Sequence, residues 1–227
     1  MNLPNISRLK QFFVENGKAE IYRKGMVILK APALSPGIFY IAKGCVEVRS
    51  AEKGGERLFA IYKAGELFPL LWALQDVQKR FIYKAYTDCE VLIVSKTLFN
   101  KTVSTDLNVA QEIIQQLAIY CDIFLTRIDH LEIPRAYDRV LQRLLFFAKR
   151  FGTKKQDEIV INIPITHETI AESLSISRET TSRIMKRLKD EGFIHYANHS
   201  ITLKHKLLLT SLFTSFFLNI TPDIYAI

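Results

Sequence analysis

Between Ala19 and Val94 the chain alternates apolar and polar positions over short runs broken by turn residues. Phe39-Tyr-Ile-Ala-Lys-Gly44 leads into Cys45-Val-Glu-Val-Arg49, and Leu58–Tyr62, Phe81–Tyr86 and Glu90–Val94 follow. Period-two alternation of this kind predicts half-buried strands. Lys53-Gly54-Gly55-Glu56 sits between two such runs and predicts a hairpin. Many short strands with turns at Gly44 and Gly65 predict a roll or barrel. A short helix is predicted before them, over residues 5–16.

The period then changes. Asp106 reads as a helix cap, and Leu107, Ala110, Ile114, Leu117, Cys121, Phe124, Ile128 and Leu131 recur at spacings of three and four. That is a heptad stripe, the pattern of a helix packed on a parallel partner helix. A second stripe, Val109, Ile113, Tyr120 and Ile123, is predicted to pack on the roll. A helix with two apolar faces predicts a homodimer. Pro134 ends the helix, and Ala136–Phe151 predicts another, with Val140, Leu141, Leu144, Leu145, Phe147 and Ala148 on its apolar face. The polar stretch Gly152–Asp157 reads as a surface loop, and Ile159–Ile163 as a strand.

Thr166 to Gly192 reads as two short helices and a tight turn. Thr166 caps the first helix, whose apolar residues are Ile170, Ala171 and Leu174. Ser177 caps the second, with Ile184 and Leu188 turned inward, Met185 beside them, and Gly192 as a left-handed stop. Arg178, Glu179, Thr181, Ser182, Arg183, Lys186, Arg187 and Lys189 are left outside. A guanidinium fork matches the O6 and N7 acceptors of guanine, and a carboxylate accepts from cytosine N4. Hydroxyls and ammonium groups suit phosphate oxygens. Two strand-like runs then flank Ala197-Asn-His-Ser200, as in a β-wing. His195, His199 and His205 fall on this wing or after it, where phosphate contact fits better than metal binding.

Ile163–Leu203 resembles the DNA-binding domain of the Crp/Fnr family of bacterial transcription regulators, and Ser177-Arg178-Glu179-Thr180 with Arg183 matches its recognition helix. The resemblance implies that Arg178, Glu179 and Arg183 contact bases in a TGTGA-like half-site of double-stranded DNA. It implies phosphate contacts from Thr166, His167 and Ser177, and Ser182 and Lys186 join the same face. Ser175 stands at a turn position where the family often has Gly. The strand-rich first half resembles the family's cyclic-nucleotide-binding β-roll. The implied fold is α+β: a β-roll over residues 1–104, a dimerisation helix and hinge over 105–134, and a winged helix-turn-helix over 135–227 with an apolar tail. RNA polymerase is an implied partner, through a loop near Gly152–Asp157.

The roll departs from the family where its ligand would bind. Pro69 and Leu70 occupy the positions of the Gly-Glu pair that holds a ribose, and Phe81 replaces the small hydroxyl residue beside the phosphate-binding Arg. Lys79 and Arg80 remain to meet an anion. The missing polar partners argue against cyclic AMP. Phe68, Leu70, Leu71, Trp72 and Tyr83, with Lys79 and Arg80, either line a pocket for a small apolar or aromatic effector or form plain core. The cofactor therefore stays unknown. No His precedes His130, and Cys45, Cys89 and Cys121 lack metal-ligand spacing, so neither a haem nor an iron–sulfur ligand set is evident.

Bulk numbers agree with this picture. Of 227 residues 48% are hydrophobic, enough for two small cores, and the net charge is +8. Residues 135–227 hold 14 Lys+Arg against 9 Asp+Glu, so the shorter part is the more basic one, as nucleic acid demands. There is no leader-like N-terminus, and the odd cysteine count suits a reducing cytoplasm. Leu207–Ile220 is apolar but shorter than the ~20 residues of a membrane span, and predicts a docked C-terminal helix with no membrane partner. No Walker, Gly-x-Ser-x-Gly or metal-spaced His motif points to an enzyme.

Overall fold

Alternation in the first half becomes two antiparallel sheets. The computed structural model describes residues 7–30, 35–52, 55–75, 81–197 and 200–204. The chain divides into two compact units, Met1–Leu125 and Thr126–Ile227. In the first, α1 (Arg8–Asn16) is capped by the Ser7 side chain, and Leu9, Phe12 and Phe13 are buried. The strands are β1 (Lys18–Tyr22), β2 (Val27–Lys30), β3 (Ile38–Lys43), β4 (Cys45–Glu52), β5 (Gly55–Lys63), β6 (Leu67–Phe68), β7 (Phe81–Ala85) and β8 (Cys89–Val94). They form two four-stranded sheets ordered β1-β8-β3-β6 and β2-β7-β4-β5.

Glu52 pairs with Gly55, which brackets the predicted hairpin turn. Lys53 and Gly54 themselves lie outside the described residues. Gly44 joins β3 to β4 at φ +85°, and a Cβ there would meet the Asp88 carbonyl oxygen at 2.3 Å. Both the backbone angle and the close approach require glycine.

Two helices follow that the strand pattern did not reveal. They are α2 (Leu70–Gln75) and α3 (Lys96–Thr105), the latter capped by Ser95. Then comes α4 (Leu107–Glu132), with Asp106 Oδ1 accepting from the Asn108 and Val109 amides. Val109, Ile113, Tyr120 and Ile123 are buried, as the second stripe predicts. Tyr120 stacks on Tyr62 at 4.7 Å, and its hydroxyl donates to the Leu67 carbonyl at 2.6 Å. The heptad stripe faces away from this core, with Leu107, Ile114 and Ile128 exposed at 72%, 64% and 52%.

The second unit contains α5 (Ala136–Phe151), β9 (Gly152–Lys155), β10 (Glu158–Ile161), α6 (His167–Leu174), α7 (Arg178–Asp190), β11 (Ile194–Ala197) and β12 (Ser200–Leu203). Its sheet is ordered β11-β12-β10-β9. The predicted apolar face of α5 is buried throughout. Gly152–Asp157 is not a plain loop: Gly152–Lys155 is a strand whose backbone pairs with β10, while its polar side chains stay at the surface. The two strands meet at Gln156, at φ 54°. The apolar tail, Leu207–Ile220, lies outside the described residues, as do Lys79 and Arg80. Among the described residues no helix is long and apolar enough to cross a membrane.

Candidate DNA-reading face

The two helices of the motif are set by local hydrogen bonds. Thr166 Oγ1 accepts from the Thr169 amide at 3.0 Å and starts α6. Ser175 ends it in the left-handed region, φ 54° and ψ 42°, with the Ile176 amide donating back to the Ala171 carbonyl at 3.1 Å. Ser177 Oγ accepts from the Thr180 amide at 3.1 Å and starts α7. The turn is therefore three residues long, and Ser175 adopts the conformation that glycine takes without penalty. Ser175→Gly is expected to stabilise the protein by about 1 kcal/mol, the scale of left-handed strain in a non-glycine residue. Thermal denaturation should show a Tm rise of about 2–4 °C for a chain of this size.

The inward stripe of α7 differs from the sequence reading. Met185 and Leu188 are fully buried together with Thr181, and Ile184 is only half-buried. Thr181 is not on the outer face: its hydroxyl donates to the Ser177 carbonyl at 3.1 Å, so the helix satisfies its polar atom internally. What remains outside is a continuous face. Arg178, Glu179, Arg183 and Lys186 are exposed, and Ser182 is half-buried. At 100° per residue these five positions share one side of the helix.

Arg178 has only a loose contact, 3.7 Å from Glu168, and Arg183 Nη2 donates to Thr180 Oγ1 at 3.3 Å. Both guanidiniums keep most of their donors free to meet base edges. Hydrogen bonds from its own amide and from Ser177 hold the Glu179 carboxyl below its ordinary pKa, so it stays an acceptor at neutral pH. Arg187 is committed elsewhere. Its guanidinium lies 4.4 Å from the Tyr137 ring, its Nε is 2.7 Å from Glu191, and the Tyr137 hydroxyl donates to the same carboxylate at 2.5 Å. These contacts fix α7 on α5.

His167 has a position the sequence did not foretell. Nδ1 is hydrogen-bonded to Ser182 Oγ and Nε2 to the Tyr196 hydroxyl, each at 2.9 Å. One imidazole thus joins the first residue of α6, the outer side of α7 and the wing strand β11. Tyr196 is the participant that sequence reasoning missed, because nothing in an isolated strand marks which side chain turns toward the helices. Burial, and secondarily the charge of Arg178, lowers the His167 pKa. A lowered folded pKa means the unfolded chain binds more protons below the ordinary histidine value of ~6.5. Stability from this group is present above that value and lost as pH falls. His167→Gln is therefore expected to show a smaller drop in Tm between neutral pH and pH ~5 than the parent. Parallel slopes in the two melts would exclude the assignment.

In the first unit, the candidate effector residues do not all come together. Phe68 stacks on Phe39 at 4.8 Å and on Tyr83 at 4.9 Å, and all three are buried. Leu70 is buried, Leu71 is 42% exposed, and Trp72 carries Lys96 Nζ 4.7 Å from its ring centre. Burial raises the Tyr83 pKa well above the usual phenol range. Cys45 and Cys89 are buried strand residues, and burial pushes the Cys89 thiol up to about 11.

A capped helix-turn-helix backed by a β-wing, in a chain that also carries two β-sheets and a long helix, has the build of a DNA-binding transcription regulator. Residues 138–211 match the Crp-like helix-turn-helix domain, and residues 19–106 match the cyclic nucleotide-binding domain. The chain belongs to the Crp/Fnr family. It is 24% identical over 193 residues to the cAMP-activated global transcriptional regulator CRP of Salmonella typhimurium, covering 84% of this chain and 91% of that one. Among solved structures it is similar to a mutant of CooA from Carboxydothermus hydrogenoformans, with a TM-score of 0.77 at 21% identity, covering 95% and 97% of the two chains. It is also similar to the c-di-GMP responsive global regulator CLP of Xanthomonas campestris, with a TM-score of 0.70 at 18% identity, covering 86% and 98%.

Proposed function

We propose that this regulator binds DNA as a cytoplasmic homodimer and reads a TGTGA-like pseudo-palindrome. The observation that carries the reading is the exposed set Arg178, Glu179 and Arg183 on one side of α7, with most donors of the two guanidiniums free. Arg178 and Arg183 take guanine acceptors, and Glu179 accepts from cytosine. Thr166, Ser177, Ser182 and Lys186 set register on phosphates, and His167 holds the wing beside them. The exposed stripe of α4 joins the two copies, so that the half-sites fall one DNA turn apart, ~34 Å. The surface hairpin of β9 and β10 meets RNA polymerase when the regulator activates.

Control by a small effector other than cyclic AMP fits the departures at Pro69, Leu70 and Phe81. Similar regulators answer to different ligands, cAMP for one and c-di-GMP for another, so the shared fold does not fix the ligand. The packed stack of Phe39, Phe68 and Tyr83 favours a second reading, in which the roll is simply filled and DNA binding is constitutive. Selection of bound sites from random DNA, with and without cell extract, tests both. Recovery of a TGTGA-like palindrome supports the DNA reading, and its absence in both arms overturns it. Enrichment that depends on extract supports an effector, and enrichment without extract supports constitutive binding.

A further inference from the structure

The second unit holds a buried guanidinium for which neither DNA binding nor packing accounts. Arg143 of α5 is 4% exposed, and its Nε and Nη2 have no hydrogen-bond partner. No carboxylate among the described residues forms an ion pair with it. These two nitrogens lie on the same edge of the guanidinium, the edge that receives a carboxylate or phosphate through two parallel bonds. His130, near the end of α4, is also 4% exposed, and its Nδ1 lacks a partner. The two share an aromatic wall: the His130 ring meets Phe146 edge-on at 6.3 Å, and the Arg143 guanidinium carbon is 5.1 Å from the same ring and 5.9 Å from Phe147. Ring faces attract the guanidinium but leave its N–H donors unused.

Charge makes the arrangement more demanding. Half-buried Arg127, one turn before His130, adds to the positive field at Arg143. Burial, then Arg127, brings Arg143 down to about 9, and burial, then Arg143, brings His130 down to about 3. A buried guanidinium is ordinarily paired, because loss of water around a charge must be offset by a counter-charge and by hydrogen bonds.

We propose that this corner of α4 and α5 binds the oxyanion of a small molecule, a carboxylate or phosphate group, on the free edge of Arg143 with His130 Nδ1 beside it. The proposal rests on the second unit alone and not on the choice of DNA sequence. The test is thermal denaturation of the full chain in inorganic phosphate, in acetate, and in sodium chloride of matched ionic strength. A Tm rise of about 3 °C or more in phosphate or acetate over chloride is expected, and which of the two acts distinguishes the anion class. Arg143→Met keeps the apolar stem on the two rings and should abolish the rise. It should melt no lower than the parent in chloride, because it removes an unpaired buried charge. The double variant Arg178→Ala, Arg183→Ala should keep the rise, which separates this site from the DNA face. Should Arg143→Met fail to fold, Arg143→Lys retains the charge without the fork and should weaken the apparent affinity about tenfold. Equal melting of the parent in all three salts overturns the proposal, as does an undiminished rise in the Arg143 variants.

Discussion

Ile114→Lys is expected to turn the proposed dimer into monomers while leaving each monomer folded. Ile114 is 64% exposed in the single chain and shares a stripe with Leu107, Cys121 and Ile128. The opposite side of the same helix is held by Val109, Ile113, Tyr120 and Ile123, so the substitution touches no core residue. Burying an isoleucine contributes about 1.5–3 kcal/mol, and a two-fold seam counts it twice, about 3–6 kcal/mol per dimer. Two ammonium groups facing each other add repulsion. The dimer Kd should therefore rise by roughly two to four orders of magnitude. Sedimentation would show monomers at concentrations where the parent is dimeric, with an unchanged circular dichroism spectrum. Binding to a full palindrome would fall with it, because a monomer engages only one half-site at a time. A variant that sediments as a dimer would place the seam elsewhere.

The longer helices were legible in the sequence through their apolar period, whether a side chain caps them, as in α4, α6 and α7, or not, as in α5. Thr166, Ser177 and Asp106 each do what their identity predicts, and α5 spans the residues its period marks. The reading failed where short elements carry no period of their own. α2 is six residues long and lies where a ligand-binding cassette was sought. β9 is four residues of Gly, Thr and Lys whose strand character comes from pairing with β10. On α7, period alone did not rank Ile184 against Thr181. A threonine whose hydroxyl donates to the carbonyl four residues back is buried at no polar cost, while Ile184 lies along the half-open side near Tyr137.

The site divides in the same way. Base-reading candidates are exposed side chains on one helix, and a sequence displays those directly. The link through His167 joins residues 15 and 29 positions apart, and the Arg143 corner joins two helices. Such pairings exist only after folding. In the first unit the aromatic residues were noticed, but the stack that Phe68 makes with Phe39 and Tyr83 at 4.8 and 4.9 Å arises only from packing across strands, which the sequence does not display.

Arg178→Ala and Lys186→Ala should weaken DNA binding in different ways, and that contrast tests the reading of α7. Arg178 is the first residue of the helix, its side chain is 69% exposed, and its contact with Glu168 is loose at 3.7 Å. An exposed pair of that kind adds about 0–1 kcal/mol to stability, so truncation leaves the fold intact. A guanidinium bidentate to guanine contributes about 1–3 kcal/mol of discrimination, so affinity for the preferred half-site should fall about 5- to 150-fold. Affinity for unrelated DNA should change far less, and the preference at one base position should relax. Lys186 is proposed to neutralise a phosphate, which carries no sequence information. Its removal should lower affinity for all sequences alike and reduce the slope of log K against log salt by about 1. Competition titrations at several salt concentrations separate the two patterns. If Arg178→Ala lost affinity for every sequence equally and shifted the salt slope, Arg178 would be a phosphate contact. Base reading would then rest on Glu179 and Arg183.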